Sequence, residues 1–178
     1  EEDTTLTLIA AAPFEDRSWA TKWREFFRPR QLSARVNVGP PWEDFAAPEG
    51  GHRLVVEPGM AFGTGTHETT QLVSEILDDL LADQRFERML DVGCGSGILS
   101  MLAAKLGVQH ILGVDIDAEA LENARHNLTL NGLEGADITY ATTPLAEVEG
   151  RWPLVVANIL AHILLSLRDA LVARVAPG

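Results

Sequence analysis

Three glycines at every second position, Gly93, Gly95 and Gly97, close an apolar run from Met89 to Val92, and a helically spaced segment, Ile98 to Leu106, follows them. Glycine lets the backbone turn sharply and lets a ligand approach with no Cβ in the way. The helix beyond such a turn offers free N–H groups at its start. Strand, tight turn and helix make the first unit of a nucleotide-binding βαβ fold. Two polar residues occupy equivalent places further on: Asp115 ends the run His110 to Val114, and Asn158 ends Trp152 to Ala157. Ligands of open parallel sheets bind outside the carboxyl ends of the strands, so Gly93, Asp115 and Asn158 are expected on one ligand-facing rim.

The spacing narrows the ligand. A nicotinamide fingerprint, Gly-x-Gly-x-x-Gly, would need a small residue at position 98, which is Ile; the third glycine comes one place early, at Gly97. That arrangement demands no pyrophosphate site. Asp115 follows Gly93 by 22 residues, near the spacing at which an acid grips ribose hydroxyls. A carboxylate accepts from both hydroxyls and leaves no room for a 2′-phosphate. The expected ligand carries a ribose and need not carry phosphate, a description that S-adenosylmethionine fits.

These residues require a frame. After the glycine unit, Asp117 caps a helix with apolar positions Ala120, Leu121, Ala124 and Leu128, closed by Asn131-Gly132. Ala136 to Tyr140 reads as a third strand and Trp152 to Asn158 as a fourth. Ile159, Ile163, Leu167 and Leu171 mark a last amphipathic helix that stops before Pro177-Gly178. Strands alternating with helices predict a mostly parallel sheet flanked by helices, an α/β fold. Upstream, Arg35–Val38 and Arg53–Val56 are two short strands separated by a Pro/Gly-rich loop, Gly39 to Gly51. Asp16 or Ser18 can cap a helix running to about Phe27 and stopped by Pro29; its stripe, Trp19, Trp23, Phe26 and Phe27, is expected to dock on the main body. Thr5 to Ile9 alternates weakly, as a short strand would.

Between these parts lies Pro58-Gly59-Met60-Ala61-Phe62-Gly63-Thr64-Gly65-Thr66-His67-Glu68-Thr69-Thr70. A loop rich in glycine and hydroxyls runs straight into a helix with the stripe Leu72, Val73, Ile76, Leu77, Leu80 and Leu81. Thr66 is the expected N-cap, and Glu68 complements the helix dipole. So many small and hydroxylated residues at a helix N-terminus suit ligand contact, although no Walker A sequence is present. His67 reads as a hydrogen-bonding loop residue rather than a metal ligand.

The bulk properties agree. A chain of 178 residues with 46% hydrophobic content suits one globular domain with a small appendage. No apolar run is as long as a membrane span, and the single cysteine, Cys94, excludes an internal disulfide framework. No metal site is expected, and a cytoplasmic location is. Net charge is −12, from 14 basic and 26 acidic residues, which disfavours broad attraction to a nucleic-acid backbone and suits a basic protein partner.

The segments Asp91–Leu99 and Gly113–Asp117 resemble motifs of the class I methyltransferases. Pro58–Thr70 and Val155-Val156-Ala157-Asn158-Ile159-Leu160 are more specific, and resemble the ribosomal protein L11 methyltransferase (PrmA) family. The segment with Trp19 and Trp23 is similar to that family's linker, so the resemblance runs from about Asp16 to the end. It implies an S-adenosylmethionine-dependent N-methyltransferase acting on amino groups, lysine or α-amine, of a basic ribosomal protein. By position it implies that Gly93, Gly95 and Asp115 contact the cofactor, that Thr70 and Gly63, Thr64, Gly65 and Thr66 close over it, and that Asn158 lies beside the methyl group and the incoming amine. It also divides the chain: 1–15 as a possible remnant of an N-terminal recognition domain, 16–52 as linker helix and lead-in strands, 53–178 as a catalytic domain lacking the family's last strands. A partial chain is therefore expected. Two other readings are a nucleic-acid methyltransferase of the same fold and a cofactor-binding module without catalysis. The first is disfavoured by the acidic charge and by Ile-Leu-Ala after Asn158, where prolines and an aromatic would be needed to stack a flipped base.

Overall fold

A computed structural model describes Arg24, residues 27–58 and residues 67–177 of the chain. Its main sheet has four strands, all parallel, in the order β6-β5-β4-β7: β4 (Arg88–Val92), β5 (His110–Val114), β6 (Asp137–Ala141) and β7 (Leu154–Ala157). The helices are α1 (Glu68–Asp83), α2 (Ile98–Lys105), α3 (Ala118–Leu130) and α4 (Ala161–Arg174). Chain order thus gives β4-α2-β5-α3-β6, then β7-α4, as the alternation of patterns predicts. Asp117 caps α3 by accepting from the Glu119 amide at 2.9 Å, and Gly132 closes it at φ 63°.

Alternation along the strands splits the core between the two faces of the sheet. Met89, Ile111, Leu154 and Val156 join a cluster with Leu77, Leu102, Leu121 and Ala124 of α1, α2 and α3. Leu90, Val92 and Val114 point the other way, to Leu145, Val148 and Trp152, with Leu167, Ala170 and Leu171 of α4 packed against them. No residue of α4 is fully buried, and Leu165 and Val172 are exposed. Ile159, assigned to its stripe from the sequence, lies before its first turn.

A second, three-stranded sheet was only partly legible. β2 (Val36–Gly39) and β3 (His52–Val55) pair in parallel across the Pro/Gly loop, and β1 (Arg30–Ser33), too short to read from the sequence, adds antiparallel to β2. The Ala34-Arg35 turn is tied to α1. Asp78, with a side chain 2% exposed, accepts from the Arg35 amide and guanidinium, and the Asp78 carbonyl accepts from Arg35 Nη2 at 2.7 Å. Burial opposes the charge of Asp78, but the nearby Ser33 hydroxyl and the hydrogen bonds and charge of Arg35 outweigh it, and its pKa is lowered. Asp78→Ala is expected to cost about 2–3 kcal/mol, because it strands the guanidinium at a half-buried position. A denaturant titration checks this; a loss under about 0.5 kcal/mol, the range of ordinary surface substitutions, contradicts it.

Two sequence expectations for α1 need correction. The N-cap is His67, not Thr66: its Nδ1 accepts from the Thr69 amide at 3.3 Å, so an imidazole does the work expected of a hydroxyl. Leu72 and Ile76 are 56% and 58% exposed, whereas Thr70, Ser74 and Asp78 are buried with Leu77 and Leu81. The buried face is rotated from the apolar stripe, turning Asp78 toward Arg35 and Thr70 toward Asn158. The expected strand at Thr5–Ile9 and the aromatic stripe Trp19, Trp23 and Phe26 lie outside the described residues.

Candidate functional site

Each of the three strand-end residues stands where the sequence put it. β4, β5 and β7 end at Val92, Val114 and Ala157, and Gly93, Asp115 and Asn158 are the next residues. The amides of Gly93 and Cys94 both donate to the Val114 carbonyl, at 2.8 and 3.1 Å, carrying the turn across the end of β5. Gly93, Gly95 and Gly97 have φ of 71°, 52° and 76°, a region costly for any residue with a Cβ. Space is equally tight: a Cβ on Gly93 would stand 2.2 Å from Ile159 Cγ2, and one on Gly97 2.2 Å from the Tyr140 hydroxyl.

Asp115 is fixed by two backbone amides. Its Oδ2 accepts from Gly95 N at 2.9 Å and its Oδ1 from Asp117 N at 3.0 Å. One carboxylate thus joins the glycine turn to the start of α3, and each oxygen keeps a lone pair for a further donor. Adjacent Ile116 is 92% exposed. An apolar side chain held in water beside the strand-end acid can cover the flat face of a base. Its place between two acids, just after a buried strand, is a signal that the sequence carries.

Below the turn lies Asp91, missed as a site residue because it sits inside the apolar run of β4. It is 1% exposed. Its Oδ2 accepts from the Ser100 hydroxyl at 2.7 Å, while Oδ1 is buried and has no hydrogen-bond partner among the described residues. Burial raises its pKa to about 6; hydrogen bonding from Ser100 opposes that shift, and the nearby Asp115 charge adds to it. Burial also pushes the Cys94 thiol and the Tyr140 phenol well up, so both stay protonated and neither is a nucleophile.

Asn158 meets Thr70. Its Nδ2 donates to Thr70 Oγ1 at 3.2 Å across 88 residues of sequence, and Thr70 is 1% exposed at the first turn of α1. Asn158 Oδ1 has no partner among the described residues. The segment that follows folds over the turn, since Ile159 is the side chain in contact range of Gly93. Gly63, Thr64, Gly65 and Thr66 lie outside the described residues. Among the described residues, no group of three or more His, Cys, Asp or Glu could hold a metal ion.

The donor set fits S-adenosylmethionine. Glycine backbone leaves room for a ligand to approach closely, Asp115 can accept ribose hydroxyls, and the buried Asp91 carboxyl lies in the strand that leads into the turn. A parallel sheet with this turn, this acid and this polar strand end defines a Rossmann-like class I methyltransferase fold. An O-methyltransferase from Bacillus cereus shares it, with a TM-score of 0.52 at 14% identity over 60% of this chain and 53% of that one.

The chain belongs to the ribosomal protein L11 methyltransferase (PrmA) family, which it matches over residues 3–178. It is 45% identical over 174 residues to the ribosomal protein L11 methyltransferase of Geobacter sulfurreducens, covering 98% of this chain and 54% of that protein. The Geotalea uraniireducens protein of the same name is 42% identical over 177 residues, 94% of this chain and 56% of that protein. A solved ribosomal protein L11 methylase from Lactobacillus delbrueckii subsp. bulgaricus superposes with a TM-score of 0.74 at 37% identity, covering 84% of this chain and 76% of that one. The chain spans about half the length of the curated relatives it matches.

Proposed function

We propose that this chain is the cofactor-binding, catalytic part of a protein methyltransferase that moves methyl groups from S-adenosylmethionine to amino nitrogens, lysine or α-amine, of ribosomal protein L11. One observation carries the reading: the Asn158–Thr70 hydrogen bond joins the two family-like segments above the glycine turn. Bound S-adenosylmethionine supplies a methyl group on a sulfonium that is already a good leaving group. The protein's task is then to position a neutral amine and exclude water.

In this reading Gly93 and Gly95 admit the cofactor and Asp115 holds its ribose. Asp91 answers its positive charge. Thr70 holds the Asn158 amide through Nδ2, so that Oδ1 accepts a hydrogen bond from the incoming amine. An amide accepts from an amine without protonating it, which keeps the nitrogen lone pair free for attack. Among the described residues no dedicated base stands beside Asn158, so the product's proton passes to solvent. The proposal also assigns contact with the cofactor to Gly63, Thr64, Gly65 and Thr66, which precede His67 in sequence. A cytoplasmic setting, where the substrate is made, follows from the same reading; no helix among the described residues is long and apolar enough to cross a membrane.

The test is transfer of labelled methyl from S-adenosylmethionine to purified L11, with ribosomal RNA as competitor substrate. Label in L11 amines supports the proposal; label in RNA supports the nucleic-acid alternative, and cofactor binding without transfer to either supports a binding module. Asn158→Ala is expected to lower kcat by roughly a hundredfold, the scale for losing a positioned hydrogen-bonding group at a reaction centre, with little change in cofactor affinity. A change confined to affinity would move Asn158 away from the reacting atoms.

A further inference from the structure

Helix α3 and its C-cap carry Asn123, Asn127 and Asn131 at every fourth position, facing the end of β3 and the extended residues that follow it. Four residues of helix advance about 6 Å, and two residues of strand about 6.6 Å. Successive amides on that helix face can therefore pair with alternate peptide groups of an extended chain, as a neighbouring strand would. They do. Val55 N donates to Asn131 Oδ1 at 2.9 Å, and Asn131 Nδ2 donates back to the Val55 carbonyl at 2.6 Å. Glu57 N donates to Asn127 Oδ1 at 2.9 Å, and Asn123 Nδ2 to the Glu57 carbonyl at 3.3 Å.

Asn127 does one thing more. Its Nδ2 donates to the Ser96 carbonyl at 3.1 Å, inside the glycine turn. Asn127 and Ser96 are both 0% exposed, so no water substitutes for that bond. The glycines that make the turn possible also leave it many conformations, and something outside it must select one. Gly95 N is held by Asp115 and Gly97 N by the Cys94 carbonyl at 2.9 Å; the Ser96 carbonyl between them is held by Asn127.

We propose that Asn127 is a positioning residue for cofactor binding: it locks the Ser96–Gly97 peptide of the turn and ties that peptide to Glu57, just after β3. The inference rests on the cofactor reading above and deepens it. Only a primary amide serves here, because Oδ1 must accept from Glu57 while Nδ2 donates to Ser96.

The experiment compares Asn127→Asp with Asn131→Asp. Each swaps an amide donor, buried at Asn127 and half-buried at Asn131, for an oxygen that opposes a backbone carbonyl, but only the first faces the turn. Amide hydrogen exchange of residues 93–97 is measured without ligand, and S-adenosylmethionine affinity by calorimetry, each at matched global stability. Asn127→Asp is expected to speed exchange at Gly95 and Gly97 and to raise Kd by about tenfold, the equivalent of one hydrogen bond, with kcat at saturating cofactor kept within about twofold. Asn131→Asp is expected to leave turn exchange and Kd unchanged. Equal effects of the two variants would overturn the proposal and make both asparagines simple scaffolding. If wild type itself binds no S-adenosylmethionine, the functional reading falls, while turn exchange still decides whether Asn127 holds the turn. Should Asn127→Asp not fold, Asn127→Ser, small and uncharged, is read by the same two measurements.

Discussion

Replacing Asp115 with alanine is expected to weaken S-adenosylmethionine binding by over a hundredfold, about 3 kcal/mol, and to lower Tm as well. The ribose part of this follows from hydrogen bonds to a charged group, each of which contributes about 1.5–3 kcal/mol. The second part comes from the structure. Asp115 also accepts from the Gly95 and Asp117 amides, so its loss frees the glycine turn and unties the start of α3. Asp115→Asn separates the two effects, since an amide oxygen can still accept from one backbone amide and from one hydroxyl. It is expected to recover most of the Tm and only part of the affinity. Calorimetric titration and thermal melts of the two variants check this; an affinity unaffected by Asp115→Ala contradicts the ribose assignment.

Asp91→Asn is expected to stabilise the ligand-free protein at neutral pH while weakening cofactor binding. The native pKa is raised from 3.8 to about 6. A carboxyl with a raised native pKa favours the folded state fully below its unfolded pKa and loses that contribution as pH rises through the native value. The window for Asp91 is therefore about pH 4 to 6, and the difference of roughly two units corresponds to about 3 kcal/mol. Asp78, whose pKa is lowered, acts in the opposite sense at lower pH, so the wild-type profile alone is a mixture. The difference between Asp91→Asn and wild type isolates the one group: near zero at pH 4, growing to a gain of up to about 3 kcal/mol by pH 7. A cationic ligand favours the ionised form of Asp91, so wild-type affinity should fall as pH drops below 6, and the variant's should not. Urea titrations at several pH values and calorimetry at pH 5 and 7.5 measure both. Parallel pH profiles for the two proteins contradict this account.

The strand-end residues were legible because they obey a strong geometric rule. Buried parallel strands read as largely apolar runs, and the polar or glycine residue that ends each run falls on the ligand side. Gly93, Asp115 and Asn158 needed nothing more. The residues missed from the site work inside the runs or on a helix. Asp91 breaks the apolar run of β4, and a carboxylate among Met89, Leu90 and Val92 was itself the signal. Asn127 falls on the apolar stripe of α3, three residues after Ala124 and beside Leu128, so a polar side chain there was a signal of the same kind; its partners, Glu57 and Ser96, are distant in sequence and only the fold reveals them. The rotated face of α1 shows why apolar spacing can mislead. Leu72 and Ile76 fit the helical stripe, yet tertiary demands on Thr70 and Asp78 turned other residues inward. β1 escaped notice because four residues with one buried leucine carry no readable alternation.

A ribose-gripping cofactor site formed by the glycine turn and Asp115, with Asn158 and Thr70 at its reactive end, is tested by calorimetric titration of the chain with S-adenosylhomocysteine, beside Asp115→Ala and Asn158→Ala. One-to-one binding by wild type is expected, with binding reduced over a hundredfold in Asp115→Ala and near-wild-type binding in Asn158→Ala, the scale set by the lost ribose hydrogen bonds. No binding by wild type, or equal binding by wild type and Asp115→Ala, would contradict it.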